Sequence, residues 1–229
     1  MRFSVLIPAF NEEATIGRVL ERVLAARVDD HEWEVIVVDD GSRDRTAEIA
    51  GSFAPSVQVI SHSQNQGKGA ALKTGFAAVK GDAVIIQDAD LEYDPAEYPK
   101  LLAPMINNSA DVVYGSRFLG GDAHRVIYFW HYVGNWMLTH LSNMITNLNL
   151  SDMETGYKVI RTSLLSQITL HEKDFAVEPE LTAKLARLKP RFYEVGISYY
   201  GRTYQEGKKI TWRDGVKAIW CICKYGFMG

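Results

Sequence analysis

The sequence predicts an α/β fold with a doubly wound, mostly parallel central sheet. Three observations carry this: short β-branched runs recur along the front half, a helical pattern follows each one, and the runs are apolar at every position, as strands covered on both faces must be. The strands read as FSVLIP from Phe3, EVIVVDD from Glu34, VQVISH from Val57, AVIIQDAD from Ala83 and DVVYGSRF from Asp111. Helices are expected between them over 15–26, 44–53, 69–79 and 95–107, the last opened by Pro95. The back half changes character, with a long helix within 126–151, a shorter one over 179–188 and one more strand over 192–200. No repeat, low-complexity tract or linker divides the 229 residues, so a single domain is expected, and 47% apolar residues supply an ample core.

Composition removes several function classes. A formal net charge of −3 argues against a dedicated nucleic-acid binder, which would be basic over the whole domain. From Gly201 onward, however, six Lys or Arg face two acids, interleaved with Trp212, Trp220, Tyr225 and Phe227. Cys221 and Cys223, the two cysteines, stand two apart in an expected helix and so point in different directions; two small buried side chains are expected rather than a metal or redox pair. The apolar run 4–10 is too short for a signal peptide and leads straight into Asn11-Glu12-Glu13, so a cytoplasmic location is expected. The tail over 216–228 is too short to span a bilayer and carries Lys217 and Lys224.

In a doubly wound sheet, ligands bind beyond the carboxyl ends of the strands. The residues that leave those ends here are Pro8-Ala9-Phe10-Asn11-Glu12, Asp39-Asp40-Gly41-Ser42, Gln87-Asp88-Ala89-Asp90 and Gly115-Ser116-Arg117. Singly, each cluster has an ordinary structural explanation, because Asp and Ser cap helices and Asp-Gly makes turns; Ser42 and Asp44 read as caps. As a set they gather mutually repelling carboxylates on one rim, a costly arrangement without a cation or hydrogen-bond donors. Asp88 and Asp90, with Glu92 two residues on, suit a hard divalent ion that takes few carboxylates and leaves positions for phosphate oxygens. An EF-hand loop is excluded, since its sixth position, counted from Asp88, is Tyr93 rather than Gly. Asn65-Gln66-Gly67-Lys68-Gly69 lacks both the Walker and the dinucleotide spacing and reads as a tight turn that opens a helix.

These residues resemble a known family. VLIPAFNEE, VVDDGSRDRT, NQGKGAALKTG, VIIQDADLEYDP, VVYGSRF and METGYKV, in that order, with a further piece at YYGRTYQEGKKITWRDG, are similar to family 2 glycosyltransferases of the GT-A fold, and among them to the dolichyl- and polyprenyl-phosphate sugar synthases. The resemblance implies a Rossmann-like three-layer sandwich, with about 1–120 as the nucleotide-sugar half and about 121–229 as the acceptor side. It implies base and ribose contacts at Pro8, Phe10, Glu12 and Asp39 with Asp40 beside them, metal at Asp88 and Asp90 with Glu92 as a further candidate, and diphosphate-holding arginines at Arg117 and Arg202. Asp90, Arg117 and Arg202 are then the catalytic residues. The chemistry agrees, because sugar transfer through an oxocarbenium-like state is eased when charge on the departing diphosphate is neutralised. UDP-glucose and GDP-mannose both suit the acidic base pocket, and Mg and Mn both suit the D-x-D.

The acceptor turns on how the nucleophile is activated. A sugar hydroxyl needs a carboxylate base, for which Asp152 or Glu154 is available; a lipid phosphate, with a second pKa of about 6, is already largely dianionic and needs cationic positioning instead. Arg125 is the candidate for that, with Lys208 and Lys209 as weaker ones. Within 126–151 there is no charge apart from histidines, and apolar residues recur at Val126, Trp130, Val133, Met137, Leu141, Met144 and Leu148. A buried core helix or a subunit contact explains this; so does an amphipathic element on a membrane surface, helped by the basic, Trp-containing tail. His131 and His140 are expected to pack or hydrogen-bond. The expected activity is transfer of a hexose from a nucleotide sugar to polyprenyl or dolichyl phosphate, with lipid reached peripherally, through a partner or not at all, and with a membrane-embedded protein or a second copy of the chain in a homodimer as the candidate partner. Rival readings are transfer to a soluble or cell-envelope glycan, a sugar nucleotidyltransferase, whose glycine-rich basic first loop is missing, and a catalytically silent nucleotide-sugar binder.

Overall fold

The computed structural model describes residues 1–28, 31–120, 125–126, 128–202 and 212–227. The expected alternation is present: β1 (Arg2–Ala9), α1 (Ile16–Ala25), β2 (Glu32–Asp39), α2 (Thr46–Gly51), β3 (Gln58–Ser61), α3 (Lys68–Ala78), β4 (Ala83–Ile86), α4 (Tyr98–Ile106) behind a 3-10 turn at Pro95–Glu97, and β5 (Val112–Ser116). The back half contains α5 (Phe129–Thr146), β6 (Lys158–Arg161), α6 (Thr162–Leu165), α7 (Val177–Arg187), β7 (Phe192–Gly196) and α8 (Trp212–Phe227).

Seven strands form one sheet in the order β3-β2-β1-β4-β6-β5-β7. All run the same way except β6, which is antiparallel to both β4 and β5. The sheet is therefore mostly parallel, as the sequence predicts, but the β6 strand and the short α6 were not expected. The reversal matters for the site: the segment that enters β6 arrives at the rim where its parallel neighbours end.

Alternate residues of each strand serve two cores. Phe3, Val5 and Ile7 face α1, α2 and α4, while Leu6, Ile36, Val38, Val84 and Ile86 face α3, α5, α7 and α8, giving the three layers. Each fully buried aliphatic side chain contributes roughly 1.5–3 kcal/mol. The chain passes β1, β2 and β3 outward on one side and then returns to place β4 on the other side of β1, so a topological switch point opens between the carboxyl ends of β1 and β4.

The long helix corrects one expectation. Its apolar positions Trp130, Met137 and Met144 are exposed, at 77%, 58% and 75%, whereas Thr139 and Ser142 on the polar face are buried. It is not a buried core helix. Its polar face turns inward to hold the segment before β6: Asn143 brackets Leu150, donating to its carbonyl at 2.7 Å and accepting its N–H at 3.1 Å, and Thr139 Oγ1 accepts the Met153 N–H at 3.2 Å. Cys221 is buried, with its thiol pushed up to about 12 by burial, and Cys223 is half-buried. His140 hydrogen-bonds through Nδ1 to the Trp136 carbonyl, 2.8 Å away.

Candidate active site

A cavity of about 870 Å³ lies over the switch point. Its walls are the ends of β1, β4 and β5, the entry to β6, the starts of α3 and α7, and the inner faces of α5 and α8. Of the residues expected at the site, Pro8, Phe10, Glu12, Asp40, Asp88, Asp90, Glu92, Arg117, Glu154 and Arg202 line it. Asp39 and Asp152 are buried behind the lining, and Arg125 is exposed, its guanidinium 3.1 Å from Gly201 O. Lys208 and Lys209 lie outside the described residues.

Two loops latch together at the ends of β1 and β2. Asn11, at φ 52°, turns the chain out of β1, its N–H donates to Ser42 Oγ at 2.9 Å and its side-chain oxygen accepts the Arg43 N–H at 2.9 Å. Asp44 stands one residue before the N-cap position, Arg45, and accepts from Thr46 N at 3.0 Å and from Glu13 N at 3.1 Å, so it ties the two loops together rather than occupying the expected cap position. Asp40 is engaged by the fold itself, since its carboxylate accepts from Gln66 N, Gly67 N and Asn65 Nδ2 and contacts His62 Nδ1 at 2.7 Å. That anchors the glycine run as a turn opening α3. Gly67 has φ 98°, and a Cβ there would fall 2.3 Å from Lys173 O, so only glycine fits.

Arg202 organises the acidic wall. Its Nη2 donates to Asp90 Oδ2 at 2.8 Å, its Nη1 to Glu12 Oε2 at 3.4 Å, and its backbone N–H to Glu92 Oε1 at 2.7 Å. Glu92 also accepts from Tyr199 Oη at 2.8 Å, so its carboxylate straps the 199–202 segment to the wall. Burial and the neighbouring charges of Asp88 and Glu92 push the Asp90 carboxyl up to about 7, against the pull of Arg202.

Arg117 leaves β5 and forks onto Asp152, while its Nη2 also donates to Asn135 Oδ1 at 3.0 Å; the ring of Tyr199 lies 5.3 Å from the guanidinium carbon. The backbone N–H groups of Ser151 and Asp152 donate to Glu194 on β7, which holds the fork in place.

Sequence reasoning missed the buried ion chain that runs inward from Asp88. Lys68 Nζ lies 2.8 Å from Asp88 Oδ1 and 3.0 Å from Glu178 Oε1, and Lys158 Nζ donates to Glu178 Oε2. Burial opposes the charge on Lys68, but Asp88 and Glu178 outweigh it and raise its pKa. Lys68 had a signal, a lone cation just beyond the β3 end of the rim. Glu178 had none, since its position depends on the reversal at β6.

Whether a divalent ion fits is decided by charge. Among the lining residues acids outnumber the cations Lys68, Arg117 and Arg202, so an anionic diphosphate would meet net repulsion unless a cation accompanied it. Among the described residues no three His, Cys, Asp or Glu groups form a preformed metal centre, so the expected set of Asp88, Asp90 and Glu92 does not close. The arrangement fits an ion held by one or two carboxylates with the remaining positions left to phosphate oxygens.

The sequence profile described as Glycosyl transferase family 2 matches residues 4–169. The chain belongs to glycosyl transferase family 2. This family 2 chain is 28% identical over 213 residues to dodecaprenyl-phosphate galacturonate synthase of Rhizobium johnstonii, covering 91% of itself but 62% of that relative, so it spans about three fifths of the longer protein. It is 31% identical over 221 residues to undecaprenyl-phosphate mannosyltransferase of Micrococcus luteus, covering 91% of itself and 87% of the relative. Its fold superposes with a TM-score of 0.76, at 23% identity, on glucosyl-3-phosphoglycerate synthase from Mycobacterium tuberculosis in complex with Mn2+, UDP and phosphoglyceric acid, over 99% of this chain and 79% of that one. The GT-A architecture expected from the sequence is thus borne out.

Proposed function

We propose that this family 2 domain is the catalytic unit of a metal-dependent, inverting hexosyltransferase that moves a hexose from a nucleotide diphosphate sugar to a polyprenyl or dolichyl phosphate. The observation that carries the reading is the cavity itself, in which Asp88 and Asp90 stand on one wall and Arg117 and Arg202 beside them, at a switch point whose mouth is bordered by α5 and α8. Asp88 and Asp90 would hold the divalent ion, which supplies neutralisation of the departing diphosphate.

This chain's own groups account for the rest. Arg117 and Arg202 are fixed by carboxylates and so are pre-aimed at charge that develops on the leaving diphosphate, with little reorganisation to make. The acceptor phosphate oxygen forms the new bond to the anomeric carbon as the bond from that carbon to the donor diphosphate breaks; one displacement inverts the centre. A dianionic phosphate needs no base. That matches Asp152, whose carboxylate is engaged by Arg117 and therefore not poised to take a proton. Glu154 is the carboxyl a glycan-hydroxyl acceptor would require.

A membrane surface is the setting we infer. Val126, Phe129, Trp130 and Met144 on or before α5, and Val216, Trp220 and Phe227 on α8, are exposed, and the two helices pack along one another. Lys224 lies 4.4 Å over the Trp220 ring, so an aromatic and a cation sit together as headgroup contacts do. Among the described residues no helix is long and apolar enough to cross a membrane. The test is transfer from labelled UDP- and GDP-sugars to short-chain polyprenyl phosphate with Mg or Mn. A lipid product from one donor, lost in Asp90→Ala, is expected; labelling of a glycan instead of lipid would favour the hydroxyl reading.

A further inference from the structure

We propose that Glu154 reads a hydroxyl group of the transferred sugar and restricts the donor to neutral hexoses, an inference that rests on the donor reading above. The charged groups around it are matched: Asp88 with Lys68, Glu178 with Lys68 and Lys158, and Asp152 with Arg117. Glu154 is different. Its Oε1 is buried and has no hydrogen-bond partner among the described residues, although the side chain lines the cavity. A buried, unsatisfied carboxyl oxygen carries the full desolvation penalty, so a structure that retains one leaves it for a ligand to satisfy.

Position says which part of the ligand. Two residues on, Gly156 lies so close to Asp88 that a Cβ would fall 2.2 Å from Asp88 Oδ2, so the 154–156 segment forms the floor directly beside the proposed metal-binding wall. A sugar hanging from a diphosphate at Asp88 and Asp90 lies over that floor. The terminal torsion of a glutamate is soft, so either carboxyl oxygen can turn to the cavity. A sugar hydroxyl can donate to this group or accept from it. A sugar carboxylate in the same place would meet a second carboxyl in Glu154, while Lys68, Lys158 and Arg117 beside it are already matched to Asp88, Glu178 and Asp152, and is disfavoured.

The experiment measures binding with Mn2+ present, for wild type, Glu154→Gln and Glu154→Ala, using UDP, UDP-glucose, UDP-glucuronate, GDP and GDP-mannose. The readout is the affinity gained by adding the sugar to its nucleotide. In wild type a neutral hexose is expected to add affinity and glucuronate to add none. Glu154→Ala should lower the hexose gain about tenfold or more with nucleotide affinity unchanged, and Glu154→Gln should keep part of that gain while narrowing the gap to glucuronate. Nucleotide binding with wild-type sugar gains in both variants overturns the inference, as does a fall in kcat alone, which would make Glu154 a base. If neither nucleotide binds wild type, the donor reading and this inference fall together. If the expected gains appear but no lipid phosphate is glycosylated, the Glu154 inference stands and the acceptor reading falls.

Discussion

Arg117 and Asp152 form a two-pronged pair across the rim: Nε donates to Oδ2 at 2.6 Å and Nη2 to Oδ1 at 2.7 Å, with the Asp152 side chain fully buried. Such a fork fixes the direction of the guanidinium as well as its charge. Asp152→Asn keeps the shape and removes the charge. It is expected to cost about 3–5 kcal/mol, the usual penalty for stranding a buried partner, and to lower transfer as well. Denaturant unfolding and initial rates check both, and unchanged stability would show the fork to be idle.

Lys68 is expected to matter to the fold as much as to the site. Lys68→Met leaves the partly exposed Asp88 without its cation and Glu178 with Lys158 alone, and should destabilise by about 1–3 kcal/mol. Adding Asp88→Asn to Lys68→Met should recover part of that loss, a non-additivity a double-mutant cycle measures. Additive losses would mean the two side chains do not couple.

Glu154 gives a pH dependence with a definite sign. Burial first, then the charge of Glu178, push its carboxyl from 4.5 up to about 7, against Lys158 and Arg117. Between those values the unfolded chain has released the proton that the folded chain still holds, so the contribution of Glu154 is complete below about pH 4.5 and is lost as pH rises through about 7. Wild type should therefore lose stability relative to Glu154→Gln on going from pH 5 to pH 8, by on the order of 3 kcal/mol. Parallel Tm curves for the two proteins would contradict this.

The exposed aromatic face makes the membrane reading testable apart from catalysis. Phe129→Ser with Trp220→Ser, both at exposed positions, should reduce co-sedimentation with anionic vesicles several-fold and leave nucleotide binding as in wild type. Equal partitioning of variant and wild type would remove the membrane from the account.

Removal of the divalent ion should separate binding from folding. Chelation is expected to abolish transfer and weaken nucleotide affinity without moving Tm by more than a few degrees, because Lys68 and Arg202 already pair with Asp88 and Asp90. A collapse of Tm on chelation would instead make the ion structural.

The amino-acid sequence by itself determined the alternation of strands and helices through β5, and with it the rim on which Pro8, Glu12, Asp88, Asp90 and Arg117 meet. Periodicity is local, and in a parallel sheet every strand end delivers its next residues to the same edge, so the rim follows from pattern alone. Only the tertiary structure decided the rest. KVIR makes a four-residue strand whose Lys158 is completely buried, which no local pattern predicts, because its charge is tolerable only when Glu178 arrives from α7. The reversed β6 in turn brings Asp152 to Arg117 and Glu154 to the floor of the cavity. The same dependence explains α5, whose apolar stripe fits a core, a subunit contact or a membrane surface in isolation: Trp130, Met137 and Met144 face outward while Leu141 packs on the core, and its Asn and Thr side chains satisfy backbone groups of the loop beneath. Hydrophobic periodicity shows which residues share a face. Which face turns inward depends on the partners that the rest of the chain supplies.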